Sequence, residues 1–438
     1  MIGCGPAGAV VSRELSRFGY RVLAVAGERR FGAIEGLSER AWNGLKHSGC
    51  RRALSVIGPE VRRVAHWNGE DFEGNRERIV DRKKLDLALL QDAGDAGARV
   101  IRARARTVKH GRNGWRIAFG AHSNVPPAEA GFVIDARGRG ARRGKSSWIS
   151  GPATMSLGRR YKPLRSDLAL TWLTTFESGW VWCAADGQGT AVVQIIRSIE
   201  TEPLPPRRRL DRYFDTTLRK VAGIETVVDI HKPVGAIHGR DGGSALCSDP
   251  VAHDHARVGD AAFSIDPLSG HGMFEAISGA LALAPVVNTL LREPGNADIA
   301  LGFYRDKLNA DFERMGRTGR DFYRQEQRWP DFSFWRERQS WPDEEPSHPA
   351  PGPARIESRA VSDEGLIRIR DVVVTGDHPR GIWRVAGVPV ADLLRYAGDR
   401  SGLTGRALVD AAAQHFNTAH GSVETAAEWL RWRGLLEA

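Results

Sequence analysis

The chain has 438 residues, of which 41% are hydrophobic and 26% are charged, a composition typical of globular proteins with two or three domains. Its four cysteines, Cys4, Cys50, Cys183 and Cys247, form no CxxC pair, which argues against a zinc ribbon or a secreted disulfide framework and predicts a reducing, cytoplasmic setting. The net charge of +10 comes mainly from arginines spread along the chain, which predicts a solvated basic surface without nucleic acid as a partner, although a basic face that docks an acidic protein stays open.

The first elements are predicted as strand, glycine turn, helix and strand. A G-x-G-x-x-G pattern at residues 3–8 is followed by apolar residues at helical spacing up to Phe18, and the apolar run 21–26 suits a buried parallel strand. Only two residues precede the pattern, so the first strand is predicted to be short, and no signal peptide is expected. Further along, the sequence predicts one helix and then three strands, at 82–93, 98–108, 115–119 and 131–136.

The middle of the chain predicts an antiparallel sheet, because β-rich runs alternate with glycine-containing turns, at 168–176, 180–185 and 191–196. A charged helix is predicted at 207–222, a strand with a glycine-rich turn at 256–272, and a long helix at 273–291. The apolar stretch 276–291 is expected to be too short to span a membrane, and no membrane partner is predicted.

The last third of the chain predicts a linker and a separate small domain. Residues 341–353 hold five prolines, and we place an extended linker at 331–353. Beyond it come strand signals and then three helical runs, an order that suits a winged-helix-like domain at 354–438. The strands are predicted at 356–361, 366–375 and 382–388, and the helices at 391–396, 404–416 and 423–436.

The glycine pattern at 3–8 predicts a dinucleotide site. Gly3 permits the tight turn, Gly5 lets backbone N–H groups approach a pyrophosphate, and Gly8 lets helix and strand pack closely. The following helix begins at Pro6 and Ala7, and its N-terminus favours phosphate charge. The acid that binds ribose in such sites ends the second strand; Glu28 comes slightly late for that role, and a solvated turn glutamate is an equal alternative.

Residues 259–273 carry a second glycine pattern, Gly-Asp-Ala-Ala-Phe-Ser-Ile-Asp-Pro-Leu-Ser-Gly-His-Gly-Met. This segment resembles the second FAD motif of the glutathione-reductase-type flavoproteins, with the arginines and aspartates near 82–86 and 135–139 in the family's order. The resemblance implies FAD, with Asp260 on the ribityl chain and a helix N-terminus against the flavin, where negative charge gathers on reduction. The cofactor-binding residues it implies are Gly3, Gly5, Pro6, Ala7, Gly8, Glu28, Arg40, Arg82, Asp260, Pro267, Gly270, Gly272 and Met273.

Three related groups share this second motif: aromatic hydroxylases, tryptophan halogenases and geranylgeranyl reductases. The halogenases carry Trp-x-Trp-x-Ile-Pro, whereas residues 180–185 read Trp-Val-Trp-Cys-Ala-Ala, which speaks against halogenation. Trp180 and Trp182 lie two apart on a predicted strand and therefore on one face of the sheet, where they either line the flavin cavity as substrate-binding residues or are core aromatics.

Within these groups the sequence is similar to the flavoprotein monooxygenases of tryptophylquinone biogenesis, which serve quinohemoprotein amine dehydrogenase. That similarity rests on the halogenase-like core, the Asp-Pro-Leu-Ser-Gly-His-Gly segment and the appended C-terminal unit. It implies an FAD-dependent monooxygenase that hydroxylates a tryptophan ring of a peptide or small protein through a flavin C4a-hydroperoxide, with O₂ and with NAD(P)H or another reductant. The C-terminal unit then either grips the substrate by adding a strand to its sheet or is a structural lid.

Two residues of the second glycine motif are candidates for catalysis. His271 and Pro267 are the candidates, because both lie in the flavin motif and an imidazole titrates near neutrality, but a spacer role for His271 is the alternative. The His-Asp-His triplet at 253–255 is interpreted as a turn, so no metal site is predicted.

The sequence therefore predicts an α/β fold: a glutathione-reductase-type, Rossmann FAD-binding domain at 1–145 and 245–330, with an antiparallel β substrate domain inserted at 146–244 and the C-terminal domain after the linker. Three alternatives to the monooxygenase stay open: a geranylgeranyl-reductase-like flavin reductase of a small molecule, a flavin-dependent halogenase, and a flavin-sensing DNA-binding regulator.

Overall fold

A parallel sheet forms around the N-terminal glycine turn. The computed structural model describes residues 1–29, 32–112, 114–120, 124–141, 147–200, 203–348, 352–400 and 402–436. Strand β1 (Leu23–Ala26) pairs in parallel with β5 (Arg99–Arg102), and β9 (Val133–Asp135) pairs in parallel with β17 (His255–Arg257). Ile2 bridges Val25 on one side and Asp135 on the other, so the short first strand predicted from the sequence joins the two pairs into one sheet.

Helices follow the strands in this first part of the chain. Helix α1 (Pro6–Arg17) buries Val10, Val11 and Leu15 and packs against α4 (Arg82–Asp95), where Asp81 caps the first turn by accepting from the backbone N–H of Lys83. Both helices agree with the prediction. Further helices are α2 (Glu39–His47), α3 (Arg51–Ser55) and α6 (Gly272–Arg292).

Two small antiparallel sheets accompany the parallel sheet. One contains β6 (Ala105–Gly111), β7 (Gly114–Phe119) and β8 (Ala128–Ala130), and the other contains β10 (Trp148–Ser150), β16 (Ala245–Cys247) and β18 (Phe263–Ser264). The single strand predicted at 98–108 is therefore two strands, β5 and β6, in different sheets. The chain leaves the parallel sheet at Ala103, whose backbone N–H bonds to the carbonyl of Ala26.

An eight-stranded sheet dominates the middle of the chain. Its order is β15-β11-β14-β13-β12-β3-β4-β2. Five strands come from the predicted insertion, namely β11 (Met155–Pro163), β12 (Ala169–Phe176), β13 (Gly179–Asp186), β14 (Ala191–Arg197) and β15 (Val228–Asp241). The other three come from the first predicted segment, namely β2 (Ile34–Leu37), β3 (Glu60–Trp67) and β4 (Glu70–Asp81). The sheet thus extends beyond the predicted insertion at 146–244, because β12 pairs in parallel with β3 and so joins the two segments into one sheet.

One face of this sheet is covered by an apolar core. Helix α5 (Leu210–Leu218) supplies Phe214 and Leu218, which pack with Val181, Val193 and Ile195 of the sheet. This helix is shorter than the predicted 207–222, because residues 207–209 form a 3₁₀ turn and the helix ends at Leu218.

Contact clustering divides the chain into two compact units, Met1–Asn288 with Tyr304–Ser347, and Thr289–Phe303 with His348–Ala438. Helix α7 (Ala297–Arg324), which the sequence did not reveal, and helix α8 (Ser333–Ser340) follow α6. Helix α8 lies within the predicted linker at 331–353 and packs Phe334 and Trp335 into a core of the first unit, so the first half of that segment is not extended. Residues 349–351 of the predicted linker lie outside the described residues.

Helix α6 also differs from the sequence-based expectation. It has 21 residues and is long and apolar enough to cross a membrane by length and composition, although its apolar stretch was expected to be too short. However, 67% of its most apolar 18-residue stretch is buried inside the protein, as in a helix that belongs to the core.

The second unit contains strands followed by helices, in the order that the sequence predicts. An antiparallel sheet β19-β20-β21 consists of β19 (Arg355–Asp363), β20 (Leu366–Thr375) and β21 (His378–Ile382). The predicted strand at 382–388 is a hairpin of β22 (Arg384–Val385) and β23 (Val388–Pro389), because Ala386 and Gly387 turn the chain with positive φ angles. Three helices complete the unit and form its apolar core with Val373, namely α9 (Val390–Gly398), α10 (Gly405–His415) and α11 (His420–Trp432).

Candidate functional site

A cavity of about 1100 Å³ lies in the first unit, between the glycine turn and the eight-stranded sheet. It is larger than most small-molecule pockets and large enough for a dinucleotide. Most of the residues predicted to bind a cofactor line it, namely Gly3, Gly5, Pro6, Ala7, Glu28, Arg82, Asp260, Pro267, Gly270, Gly272 and Met273. Arg40, Gly8 and His271 are not among the lining residues.

The three glycines of the first turn differ in their surroundings. Gly3 has a φ of +93°, and a Cβ there would lie 2.4 Å from the carbonyl oxygen of Ala136. A Cβ on Gly8 would lie 2.1 Å from the carbonyl oxygen of Gly3, so this residue permits the close packing of α1 against the turn. A Cβ on Gly5 would have Nη2 of Arg82, 4.0 Å away, as its nearest neighbour beyond the adjacent residues. This leaves room for a phosphate at the N-terminus of α1.

Asp260 lines the cavity, and Arg139 holds its carboxylate in position. The Arg139 guanidinium donates to Oδ2 of Asp260 at 3.0 Å, to the carbonyl oxygen of Ile265 at 3.0 Å, and to the carbonyl oxygen of Gly243. Arg139 also lines the cavity, and the sequence motif contained it without revealing this role. The geometry fits a carboxylate held in place to accept a ligand hydroxyl.

The second glycine motif forms a turn that leads into helix α6. Pro267–Ser269 is a 3₁₀ turn, and Gly270 follows with a φ of +63° before the helix begins at Gly272. The imidazole of His271 is directed at the carbonyl oxygen of Ser269. Burial lowers the pKa of His271, and the charges of Arg40, Arg63 and Arg314 lower it further, so this side chain is held neutral beside the cavity wall.

A network of ion pairs forms one wall of the cavity. Arg82, predicted to lie against the cofactor, donates to Glu35 at 2.6 Å and to Asp86 at 3.1 Å. Arg29 also donates to Asp86, and Arg240 donates to the second carboxylate oxygen of Glu35, each at 3.0 Å. This network, Arg29–Asp86–Arg82–Glu35–Arg240, is called the arginine wall below.

Charge in the arginine wall sets the protonation of its members. Burial alone would raise the pKa of Glu35, but Arg82 and Arg240 outweigh burial and lower it to about 2. Burial alone would lower the pKa of Arg82, but Glu35 and Asp86 raise it. Glu35 and Arg82 are therefore both charged at neutral pH, and Arg82 is fixed by Glu35 and Asp86 beside the open space at Gly5.

The eight-stranded sheet supplies the opposite side of the cavity. Strand register places Trp182 between Leu173 and Gln194, and Trp180 beside Ile196, and all five residues line the cavity. Trp180 is only 2% exposed, and its indole N–H donates to the hydroxyl of Tyr323 at 3.1 Å. Each of the two alternatives, a core aromatic and a cavity-lining residue, therefore describes part of the pair's environment. Trp180 is buried, whereas Trp182 is half-buried on the cavity face.

A hydrogen-bonded chain connects this sheet with the second glycine motif. The hydroxyl of Tyr323 donates to Oδ1 of Asp266 at 3.0 Å, and Oδ1 also accepts from the backbone N–H of Leu268 at 2.9 Å. Burial raises the pKa of both Tyr323 and Asp266. The chain Trp180–Tyr323–Asp266 fixes the position of the Pro267 turn relative to the sheet, and Tyr323 could not be identified from the sequence because it lies on the unpredicted helix α7.

Glu77 is a cavity residue that the sequence analysis missed. It is 9% exposed on β4, and its Oε1 accepts a hydrogen bond from the hydroxyl of Thr171 at 2.5 Å. Gly36 makes room for it, because a Cβ at that position would lie 1.9 Å from Oε2 of Glu77. Glu35 and Asp86 are bound by arginines of the wall, and Asp260 by Arg139; by contrast, the described contacts of Glu77 give it a hydroxyl and no arginine.

The His-Asp-His triplet contributes to the surface of the β6–β7–β8 sheet. Asp254 accepts from the indole N–H of Trp115 at 3.0 Å and lies 2.9 Å from Nε2 of His110 and 3.0 Å from Nδ1 of His255. Among the described residues, no group of three or more histidine, cysteine or acidic side chains is arranged to hold a metal ion.

Comparison with known proteins connects this cavity with flavin chemistry. The chain is 33% identical to the structure described as peptidyl tryptophan dihydroxylase QhpG, essential for tryptophylquinone cofactor biogenesis, with a TM-score of 0.80 over 99% of this chain and 98% of that one. The flavin-dependent halogenase CmlS matches with a TM-score of 0.73 at 17% identity, over 99% of this chain and 94% of that one. No protein-family profile matches the sequence.

Sequence comparison with curated proteins finds a further group. Digeranylgeranylglycerophospholipid reductase 2 of Methanopyrus kandleri is 25% identical over 336 residues, which cover 71% of this chain and 82% of the reductase. The corresponding enzyme of Thermoplasma volcanium is 24% identical over 340 residues, 72% of this chain and 83% of the reductase.

FAD is the cofactor of this chain, and the residues present fit it. The open space at Gly5 with Arg82 beside it suits the pyrophosphate, and Asp260 suits a ribityl hydroxyl. The N-terminal turn of α6, with Gly270 and Gly272, suits the flavin ring. O₂ and NAD(P)H are the usual co-substrates of such enzymes.

Proposed function

Because this chain belongs to the FAD-dependent monooxygenase and halogenase family, we propose that it hydroxylates an aromatic ring, and specifically the indole of a tryptophan in a peptide or small protein. The observation that carries the proposal is the 33% identity to a peptidyl tryptophan dihydroxylase along almost the whole of both chains. The absence of the Ile-Pro pair after Trp182 supports hydroxylation over halogenation. We place the enzyme in the cytoplasm, consistent with its four free cysteines.

The cavity face of the sheet supports an aromatic substrate. Trp182, Leu173 and Ile196 form an apolar wall opposite the glycine turns, and an indole ring can pack against Trp182 there. This wall would hold the reacting ring on the flavin side and keep water away from it.

Proton transfer during hydroxylation needs an acceptor. Bound FAD supplies, with O₂ and a reductant, an electrophilic oxygen for the ring. When the C–O bond forms, the same ring carbon must lose its proton to restore aromaticity, and we assign Glu77 as the base that takes it. The described contacts of Glu77 leave it without an arginine, and the Thr171 hydroxyl holds one of its oxygens so that the other faces Gly36 and the cavity.

Polypeptide recognition is assigned to the second unit. Strand β19 is an edge of its sheet, paired with β20 on one side within the described residues. Ile356 and Ile369 on these strands are 41% and 46% exposed, so a peptide can add a strand at this edge and cover apolar side chains. Ile356→Asp should lower affinity for the polypeptide without loss of FAD, whereas Leu164→Asp, an exposed apolar site of the first unit, should lower neither.

Product analysis tests the proposed function. The holoenzyme is supplied with NADH or NADPH, ¹⁸O₂ and a tryptophan-containing peptide. The peptide is then analysed by mass spectrometry. A mass gain with ¹⁸O localised to tryptophan is the expected result. A halide-dependent gain instead would identify a halogenase. Saturation of a geranylgeranyl phospholipid without use of O₂ would identify a reductase, the alternative favoured by the archaeal relatives.

A further inference from the structure

A second cavity of about 400 Å³ adjoins the first. Its floor is the face of β11, β14 and β15 where Gly158, Gln194 and His238 are register partners, and Gly32 and Lys83 stand at its side. Lys83, Ser156, Gln194 and Arg240 line both cavities, so the two spaces share one boundary.

The second cavity is lined by positively charged side chains. Among the described residues, its lining includes Lys83, Arg159, Arg160 and Arg240 and no aspartate or glutamate. Arg159 pairs with Asp211 and Asp215, and Arg240 pairs with Glu35 of the arginine wall. For Lys83 and Arg160, no carboxylate of the described residues lies within salt-bridge distance, so two cations remain available to a ligand.

Local geometry makes room for these two cations. A Cβ on Gly32 would lie 2.8 Å from Nη2 of Arg160 and 3.7 Å from Cε of Lys83, so the glycine allows both side chains to approach the same point. Gln194 adds a polar group with a fixed orientation. Its Oε1 accepts from Ser156 and from Arg240, each at 3.0 Å, which leaves its NH₂ group as a donor. Two cations and an amide donor around one small, partly open space are a site for a compact dianion.

We propose that this second cavity binds the diphosphate of the nicotinamide dinucleotide that reduces the flavin, a proposal that rests on the proposed oxygenase function. The volume suits a phosphorylated group of mononucleotide size rather than an extended polypeptide. The residues shared by the two linings place this second cavity directly beside the large cavity that the FAD-binding residues line. In the reductive step a hydride leaves C4 of the nicotinamide, which becomes NAD(P)⁺, and the flavin accepts the hydride.

Binding to the oxidised holoenzyme tests the proposal directly. NAD⁺, NADP⁺ and inorganic pyrophosphate are titrated by calorimetry into wild type, Arg160→Ala, Lys83→Ala and the double variant. Each single variant should weaken dinucleotide binding by about tenfold or more, the effect of losing one charge-assisted hydrogen bond, and the double variant should weaken it further. Pyrophosphate should compete with the dinucleotide in wild type. Lys162→Ala on the same strand and Lys84→Ala on the same helix remove exposed lysines outside both cavities and should change nothing.

Anaerobic reduction separates dinucleotide binding from flavin integrity. NADH and NADPH should reduce the variants more slowly at low concentration, while dithionite should reduce all of them to the same extent with FAD bound. If a variant loses FAD, Arg160→Gln and Lys83→Gln, which keep polar side chains, replace the alanines. Unchanged dinucleotide affinity in both variants overturns the proposal, as does the absence of measurable binding to wild type.

Two further outcomes identify another ligand and likewise overturn the proposal: weakened binding of the peptide alone, or weakened binding of a phospholipid alone. The tryptophan product and the dinucleotide site are independent readouts. If no peptide is hydroxylated but both variants still weaken dinucleotide binding, the proposed substrate fails and this inference stands.

Discussion

The two faces of the eight-stranded sheet differ in what they contact, although they are built from the same strands. On β14, Val193 and Ile195 are buried in an apolar core with helix α5, whereas Gln194 and Ile196 line the large cavity. On β13, Val181 points to the core and Trp182 to the cavity. Because successive strand residues alternate in direction, one step along the chain separates a residue that stabilises the fold from one that meets the ligand.

Substitutions on the cavity face can occur without loss of the fold. The core face is continuous and apolar, so its residues contribute free energy of unfolding through burial. The cavity face carries Glu77, which accepts a hydrogen bond from the Thr171 hydroxyl, and Gln194, which accepts one from Arg240. Trp182 lies on the same face and lines the cavity. Substitutions on the two faces should therefore fail in different assays.

The largest expected effect is on the cavity face at Glu77. Glu77→Gln keeps the shape and the hydrogen bond from Thr171 but removes the proton acceptor, so product formation should fall about 10²- to 10⁴-fold. FAD content and thermal unfolding should stay near wild type. Glu73→Gln, on the exposed side of the same strand, is the matched control; equal rates in the two variants would remove Glu77 from the mechanism.

The next effect belongs to the core face. Ile195→Ala should lower the free energy of unfolding by about 2–5 kcal/mol, because it leaves a cavity in the core beside α5. Gln194→Ala should cost about 1 kcal/mol or less, since Ser156 and Arg240 can then bind cavity water. Urea denaturation measures both, and similar losses in the two variants would contradict the division between the faces.

A third test concerns the acid sensitivity of the arginine wall. The pKa of Glu35 is about 2 in the folded protein, against 4.5 for the free side chain, a difference of about 3 kcal/mol. Because the folded pKa is the lower one, this stabilisation is complete above about pH 4.5 and is lost as the pH falls toward 2. Glu35→Gln should therefore be less stable at neutral pH and show a flatter decline below pH 4.5. The exposed Glu70→Gln should follow wild type in the same pH series of melting curves.

The smallest expected effect lies across the cavity from the sheet. Asp260→Ala should weaken FAD binding by about 1.5–3 kcal/mol, through loss of a charge-assisted hydrogen bond. Fluorescence titration of apoprotein with FAD measures the change, and the exposed Asp249→Ala is the control. Full FAD affinity in Asp260→Ala would show that Arg139 holds this carboxylate for a structural purpose only.

Local patterns in the sequence predicted much of the fold and part of the site. The spacing of the glycine pattern predicted a tight turn at Gly3 and close packing at Gly8, and both follow from the local geometry of the turn; the pyrophosphate role of Gly5 stays a prediction. The two-residue spacing of Trp180 and Trp182 placed both on one face, and the structure confirms it. The predicted strand at 98–108 missed the end of β5, because the chain changes sheets at Ala103 without a glycine or proline to mark the strand boundary.

Long-range partners could not be predicted. Arg82 was identified, but Glu35 and Glu77 were not, since the Arg82–Glu35 contact spans 47 residues and the Glu77–Thr171 contact spans 94. Arg240 joins Glu35 over 205 residues. These contacts depend on the pairing of β12 with β3 and on the register of β2 with β4, and nothing in a single sequence reports either.

The arginine wall has a consequence for how occupants of the two cavities influence each other. One guanidinium, that of Arg240, contacts Glu35 on one side and Gln194 on the other, and both cavities border it. If the smaller cavity binds an anion as proposed, that anion competes with Glu35 for Arg240, and Glu35 is also the partner of Arg82 beside Gly5. By thermodynamic reciprocity, whatever factor the anion applies to FAD affinity, FAD applies to the anion. The arginine wall would then couple the binding of FAD to the binding of the proposed dinucleotide through Arg240.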